Sequence, residues 1–73
     1  MDFKDRVINE FVRRIKSGQN IESAVAFNIK DFPDAPQEEI SDFCSCGYAK
    51  RYYHGFALKR DYAESILEDY DLL

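Results

Sequence analysis

The N-terminal segment repeats an apolar side chain every three or four positions, and this pattern limits the fold more strongly than any other in the chain. Drawn as a helix, the segment carries six apolar residues on one broad face: Phe3, Val7, Ile8, Phe11, Val12 and Ile15. Asp2 and Asp5 stand near the positive end of the helix dipole, and basic residues stand near the negative end. Gly18 suits the left-handed position past a helix C-terminus. The pattern predicts a helix over residues 2–17.

A second, shorter helix is predicted over residues 21–30, with Asn20 as its N-cap. Apolar residues line one side of it. Pro33 closes the segment, because proline lacks a hydrogen-bond donor and restricts the residue before it. The run VAFNI also has the character of a buried strand, but the sequence offers no evident second strand to pair with it.

A third helix is predicted to begin at Asp34, which can cap it, with Pro36 in its first turn. It is predicted to continue to about Tyr70, since no proline follows Pro36. Such a helix would be a rod of roughly 50 Å, longer than two short helices can cover. A break is expected at Gly55, because glycine costs about 1 kcal/mol in a helix interior. The predicted fold class is all-α: a single helical domain over residues 1–73, forming a small three-helix bundle whose third helix is long or broken near Gly55 into a fourth.

The chain has 73 residues, near the lower end of what folds unaided, and buries only about 60% of the surface that its unfolded form exposes. Six Phe and five Tyr supply bulky core residues. A domain this small often adds a partner chain, so a homo-oligomer is predicted. The N-terminus lacks an apolar signal region, and no apolar run approaches the ~20 residues that span a bilayer. A cytoplasmic protein without a membrane segment is expected.

The cysteines, Cys44 and Cys46, would point about 200° apart on a helix, which argues against a disulfide between them. Together with His54, the one histidine, they are too few and too divergent for the tetrahedral ligand set of zinc. The sequence contains no nucleophile motif, phosphate-binding loop or dinucleotide fingerprint. We therefore predict no metal, no cofactor and no catalytic residue.

Residues 48–62 interleave basic and aromatic side chains in a protein of net charge −4. Lysine and arginine neutralise phosphates or acidic partners, and tyrosine rings stack on nucleic-acid bases. The candidate residues for binding a partner protein or an anion are Lys50, Arg51, Tyr53, His54, Lys59 and Arg60. On the predicted third helix, a neighbouring stripe indicates an interface with another chain or with the core: Tyr48, Tyr52, Gly55, Phe56, Tyr62, Ile66 and Tyr70.

Two acidic segments, residues 31–42 and 61–73, contain no basic residue and lie on either side of the basic stretch. Their charge suits a basic site on a partner, such as a nucleic-acid-binding surface. A helix-turn-helix made from the second helix and the start of the third is disfavoured. Its recognition helix would begin with Glu38 and Glu39, whose carboxylates DNA phosphates repel.

The leading interpretation is a non-enzymatic interaction protein: a small acidic helical regulator or inhibitor that self-associates and acts by binding a partner protein. Such chains occur among the accessory proteins of phages and mobile elements, which is an analogy and not a derivation. Two alternatives stay open. One is an oligomeric binder of a nucleotide or another small anion through residues 48–62, which nucleotides would stabilise against heat. The other is a nucleic-acid-binding module that uses the same residues and depends on salt.

Overall fold

The computed structural model describes residues 2–73, and Met1, which the predicted domain included, lies outside the described residues. Within that range the chain forms four α-helices, one short 3-10 helix and a three-stranded antiparallel sheet. The elements in chain order are α1 (Phe3–Lys16), α2 (Ile21–Ala24), β1 (Ala26–Asn28), the 3-10 helix (Ile29–Asp31), α3 (Gln37–Ser45), β2 (Ala49–Tyr52), β3 (Gly55–Leu58) and α4 (Arg60–Asp69). The fold is therefore mixed α/β, and the predictions of an all-α protein and a helical bundle are wrong.

The predicted first helix is confirmed, and its ends follow local rules. The Asp2 side chain accepts the backbone N–H of Asp5 at 2.9 Å, which satisfies one of the donors that a helix N-terminus leaves unpaired. At the other end, Gly18 adopts a φ of +104°, a conformation that glycine takes without steric cost. The buried residues of this helix are Phe3, Val7, Phe11 and Val12.

The predicted second helix ends after a single turn. Asn20 caps α2, as predicted, by accepting the backbone N–H of Ser23 at 2.9 Å. Beyond Ala24 the chain enters β1, so the helix predicted over residues 21–30 is wrong in its second half. β1 lies within the run VAFNI, whose strand character was noted in the sequence. Its partner β3 lies far along the chain, where a local pattern does not reveal it.

The predicted third helix is wrong over its middle part. α3 ends at Ser45, and Gly47 takes a φ of +91° in the turn that follows. The hairpin β2–β3 then replaces the kink predicted at Gly55, and the chain returns to helix in α4. Phe56 and Leu58 are both buried. Side chains two apart share a face in a strand, so this spacing suits a sheet with one face on a core.

The sheet has the strand order β1–β3–β2, and both pairs are antiparallel. Phe27 of β1 and Arg51 of β2 lie opposite Phe56 of β3, so these three side chains share one face. That face packs against α1 and α3, since the Phe56 ring centroid lies 5.9 Å from that of Phe3 and 5.8 Å from that of Phe43. The position of the sheet therefore depends on contacts between aromatic rings.

Phe56 is the centre of the core and is 1% exposed. Within the described chain its ring centroid lies between 5.2 and 6.2 Å from those of four other rings: Phe3, Phe27, Phe32 and Phe43. A buried aromatic side chain removes roughly 150–250 Å² from water. The phenylalanines counted in the sequence therefore join α1, β1, α3 and β3 in one apolar cluster.

Arg14 covers the outer edge of β1. Its Nη1 donates to the backbone carbonyl of Ala26 at 2.7 Å, and its Nη2 lies 3.2 Å from the carboxylate of Asp31. The same Asp31 carboxylate accepts the backbone N–H of Asn28 at 2.9 Å. The guanidinium also stands over the ring of Phe27, 4.4 Å from its centroid. One edge of the sheet is thus closed by side chains of the same chain.

Glu10 joins two arginines of α1 and makes stability depend on pH. Arg13 Nη2 donates to its carboxylate at 2.7 Å and Arg14 Nε at 2.9 Å. Hydrogen bonds from Arg13 first, and then from Arg14, lower the pKa of Glu10 from 4.5 to about 2. A carboxylate with a depressed folded-state pKa stabilises the fold above its unfolded pKa, and this stabilisation is lost as the pH falls from about 5 to about 2.

We expect Glu10→Gln to lower the free energy of unfolding at neutral pH by about 1 kcal/mol, less than the full pKa shift implies, because water screens the exposed Arg13. At about pH 3 the difference from the unchanged protein should fall to roughly half or less. Urea denaturation at the two pH values measures both quantities. Glu64→Gln is the matched control, because it breaks an exposed ion pair with Arg60 at 3.0 Å and should cost less than about 0.5 kcal/mol. An equal loss at both pH values for Glu10→Gln would rule out the proposed role.

Candidate interaction surfaces

The tip of the β2–β3 hairpin exposes two tyrosines. Tyr53 is 89% exposed and Tyr52 is 53% exposed. The Tyr53 ring meets the His54 ring edge-on at 4.3 Å, and the ammonium of Lys50 lies 5.8 Å from the centroid of the Tyr52 ring. Three of the six candidate binding residues, Lys50, Tyr53 and His54, therefore lie near this tip, together with Tyr52 of the predicted interface set.

The other predicted binding residues lie elsewhere on the hairpin. Lys59 and Arg60 follow β3, so they are separated from the Tyr53–His54 turn by the length of a four-residue strand, about 13 Å. Arg60 is paired with Glu64 at 3.0 Å. Arg51 is half-buried, and its Nη1 donates to the carbonyl of Gly55 at 2.9 Å. The six candidate residues are thus distributed over the whole hairpin.

The residues predicted as one interface stripe do not share a face, because the helix on which they were projected is interrupted by the hairpin. Gly55, Phe56 and Ile66 are buried inside the chain itself. Tyr48 and Tyr62 are half-buried, and their ring centroids lie 4.6 Å apart. The two exposed members of the set are Tyr52 and Tyr70.

Lys4 connects α1 to the tyrosine pair. Its ammonium lies 4.6 Å from the centroid of the Tyr48 ring and 3.4 Å from the Tyr48 hydroxyl. The hydrogen bond to Tyr48 is the largest cause of the raised pKa of Lys4. Burial raises the pKa of Tyr62, whose hydroxyl has no hydrogen-bond partner within residues 2–73. The pair is therefore held mainly by ring packing.

A cleft with an acidic rim lies between the start of α1 and α3. Its volume is about 240 Å³, and its lining residues, which we call the acidic cleft, are Asp2, Phe3, Lys4, Glu39, Asp42, Phe43, Cys46 and Tyr48. Aromatic rings form its floor. None of the ion pairs in the described chain involves the carboxylates of Glu39 or Asp42. The cleft therefore presents negative charge beside apolar surface.

The sequence indicated only part of the acidic cleft. The acidic segment 31–42 supplied Glu39 and Asp42, but Asp2 and Phe3 belong to a helix far away along the chain. Other acids of the two segments are neutralised within the chain: Asp31 lies 3.2 Å from Arg14 and Glu64 lies 3.0 Å from Arg60. Only the tertiary structure separates the acids that face a cleft from those that are already paired.

Both cysteines are free thiols; Cys44 is half-buried and Cys46 is exposed. Burial raises the pKa of Cys44, although nearby Arg51 lowers it by a smaller amount. In the part of the chain that the structure describes, no three His, Cys, Asp or Glu residues are grouped so that they could hold a metal ion. No helix in residues 2–73 is long and apolar enough to cross a membrane.

Comparison of the chain with protein-family models, with curated proteins and with solved structures found no match.

Proposed function

We propose that this protein is a non-enzymatic interaction protein that binds a basic segment of a partner protein in the acidic cleft, and so acts as a regulator or inhibitor of that partner. The observation that supports the proposal is the position of Glu39 and Asp42 beside an apolar floor, where neither carboxylate forms an ion pair with residues 2–73. Charge of this kind steers a basic partner and selects against acidic ones. The adjoining apolar surface supplies affinity by burial.

The dimensions of the acidic cleft favour one anchoring side chain. Its volume of about 240 Å³ lies below the roughly 300–1,000 Å³ typical of small-molecule pockets. A leucine or aromatic side chain of the partner would lie against Phe3, Phe43 and Tyr48. A neighbouring lysine or arginine would pair with Glu39 or Asp42. The partner segment is therefore amphipathic, with apolar and basic residues close together.

Binding of a nucleotide or a nucleic acid through residues 48–62 has less support. The basic residues of that stretch lie at both ends and on both faces of the hairpin, and Arg60 already pairs with Glu64. A compact anion would meet no more than two of them at once. The carboxylates of α3 and α4 would repel a phosphate backbone.

Removing the two carboxylates should weaken binding of a basic ligand. A short synthetic peptide of leucine and arginine is the probe, measured by isothermal titration calorimetry. We expect the double variant Glu39→Gln, Asp42→Asn to bind it about tenfold more weakly, and added salt to weaken binding by the unchanged protein.

The matched control is Glu68→Gln, Asp69→Asn, which removes the same charge from α4. It should change the affinity by less than about twofold, since screening limits the reach of exposed charges. Equal weakening by the two double variants would mean that net charge alone attracts the peptide, and would overturn the assignment to the acidic cleft. Equal binding of a leucine–glutamate peptide would overturn the charge argument.

A further inference from the structure

Strand β2 lies at the edge of the sheet. Every second residue of β2 points its backbone N–H and C=O groups away from the sheet. The backbone N–H of Lys59 donates to the carbonyl of Tyr48 at 3.0 Å, which makes these two a hydrogen-bonded pair in the β2–β3 register. Hydrogen-bonded and non-bonded pairs alternate along an antiparallel ladder. The N–H and C=O groups of Ala49 and Arg51 therefore point outward.

The two edges of the sheet differ in whether their outward backbone groups have hydrogen-bond partners. On β1, Arg14 donates to the carbonyl of Ala26 and Asp31 accepts the N–H of Asn28. On β2, no backbone or side-chain group of residues 2–73 bonds to the outward N–H and C=O groups of Ala49 and Arg51. One edge is closed, and the other is open to another strand.

A groove runs along the open edge, between β2 and α3. Its volume is about 350 Å³, and its lining residues, which we call the edge groove, are Ser41, Cys44, Ser45, Ala49 and Arg51. The α3 side chains in it are short and uncharged, so they leave room for a neighbouring chain. Ala49 is only 3% exposed, so the chain itself covers it, whereas Arg51 is half-buried and its outward main-chain groups can be reached. Unpaired main-chain polar groups that are shielded from water are costly. The edge groove therefore favours an occupant that forms hydrogen bonds.

We infer that the edge groove binds an extended, acidic segment of a partner protein, which joins the sheet as a fourth strand beside β2. An extended main chain supplies the alternating donors and acceptors that the outward groups of this edge require. Within the described chain, Nη1 of Arg51 is engaged by carbonyls of the hairpin. Its other N–H donors remain for a carboxylate of the added strand, and Lys50 places a second positive charge on the opposite face.

Charge also decides against a second copy of this chain as the occupant. A two-fold axis at the middle of β2 would place Lys50 opposite Lys50 of the other copy, or Arg51 opposite Arg51. Like charges directly opposite each other destabilise a strand pair, and lysine on an edge is a common protection against self-pairing. An acidic strand meets the same two residues with favourable charge.

Amide hydrogen exchange, followed by NMR on the intact protein, tests this inference. In the free protein the outward amide of Arg51 should exchange about tenfold faster than those of Lys50 and Tyr52, which point toward β3. The probe is a short synthetic peptide in which valine and glutamate alternate. Its addition should slow exchange at Arg51 about tenfold. On the closed edge, the amide of Asn28, which Asp31 accepts, serves as an internal control and should not change.

Two variants of Arg51 separate the contributions of its side chain and its main chain. Arg51→Gln should weaken binding of the valine–glutamate peptide about tenfold, because it removes the side-chain charge and keeps the outward backbone N–H. Arg51→Pro should abolish protection at the edge, and proline is tolerated where a strand N–H faces away from the sheet. Circular dichroism and thermal unfolding establish that each variant is folded. The double variant Glu39→Gln, Asp42→Asn should keep full affinity for this peptide, so failure of the acidic cleft and failure of the edge groove are distinguishable.

Three results would overturn the inference. The first is equal protection by a peptide in which valine and lysine alternate. The second is a change in exchange at Asn28, on the closed edge, in place of Arg51. The third is slow exchange at Arg51 without peptide, at a rate that falls further as the protein concentration rises. This result would assign the edge to a second copy of the chain.

Discussion

Phe56→Ala is expected to lower the free energy of unfolding by about 3–5 kcal/mol, because it removes a ring from a packed core and leaves a cavity. At roughly 0.05–0.15 kcal/mol per residue, the whole chain has about 4–11 kcal/mol of stability. The ring is 1% exposed and contacts phenylalanines from α1, β1 and α3. We therefore expect the variant to lose a large part of the stability of the chain and to unfold at a much lower denaturant concentration than the unchanged protein.

Chemical denaturation followed by circular dichroism measures this loss. Phe56→Leu provides an intermediate step and should cost less than Phe56→Ala, since it keeps most of the apolar volume. Tyr53→Ala is the control. It removes an exposed aromatic ring at the tip of the β2–β3 hairpin, and should change stability by no more than about 0.5 kcal/mol. Similar losses for Phe56→Ala and Tyr53→Ala would contradict the core position of Phe56.

Gly55→Ala is expected to destabilise the protein by roughly 3 kcal/mol, because the added methyl group has no space. A Cβ at Gly55 would overlap the carbonyl oxygen of Phe27 and lie 3.0 Å from the Cα of Asn28. Both are backbone atoms of β1, so no side-chain rotation can relieve the clash. β1 must move away from β3, which also separates the Phe27 and Phe56 rings, now 5.2 Å apart.

Gly47→Ala provides a matched control for this crowding. Gly47 has a φ of +91°, but apart from its two chain neighbours no atom of residues 2–73 lies within 4 Å of an added Cβ. Its replacement should therefore cost only the strain of a left-handed residue, about 1–2 kcal/mol. Hydrogen exchange adds a second measurement: Gly55→Ala should increase exchange of the β1 amides relative to those of α1. Equal losses of stability for the two glycine variants, with unchanged exchange of the β1 amides, would contradict this explanation. Glycine at position 55 would then not be required by the close approach of β1.

The two proposed binding surfaces lie on different sides of α3. Glu39, Asp42 and Cys46 line the acidic cleft, whereas Ser41, Cys44 and Ser45 line the edge groove. Successive residues of a helix are about 100° apart, so one short helix can serve two surfaces with opposite charge preference. The basic residues of β2 and the acidic residues of α3 therefore do not form one site.

The sequence predicted α1 well because its information is local. Six apolar residues at helical spacing, an Asp cap and a terminal glycine lie within one segment, and their rules do not depend on the rest of the chain. The strands are different. Each has three or four residues, too few for a clear period of two, and β1 is stabilised by pairing with a strand that comes after α3. The run VAFNI had strand character, but its partner at Phe56 could not be found from local pattern.

The candidate sites divide in the same way. From the sequence alone came the excess of negative charge, the acidic segment that contains Glu39 and Asp42, and the basic and aromatic character of residues 48–62. The tertiary structure decided which of these groups act together, because α1 brings Asp2 and Phe3 to α3 and the hairpin separates Tyr53 from Arg60. Composition and local periodicity depend on neighbours along the chain, whereas a cleft or a sheet edge depends on contacts between distant segments. For that reason α1 could be predicted before folding was considered, while the sheet, the acidic cleft and the edge groove could not.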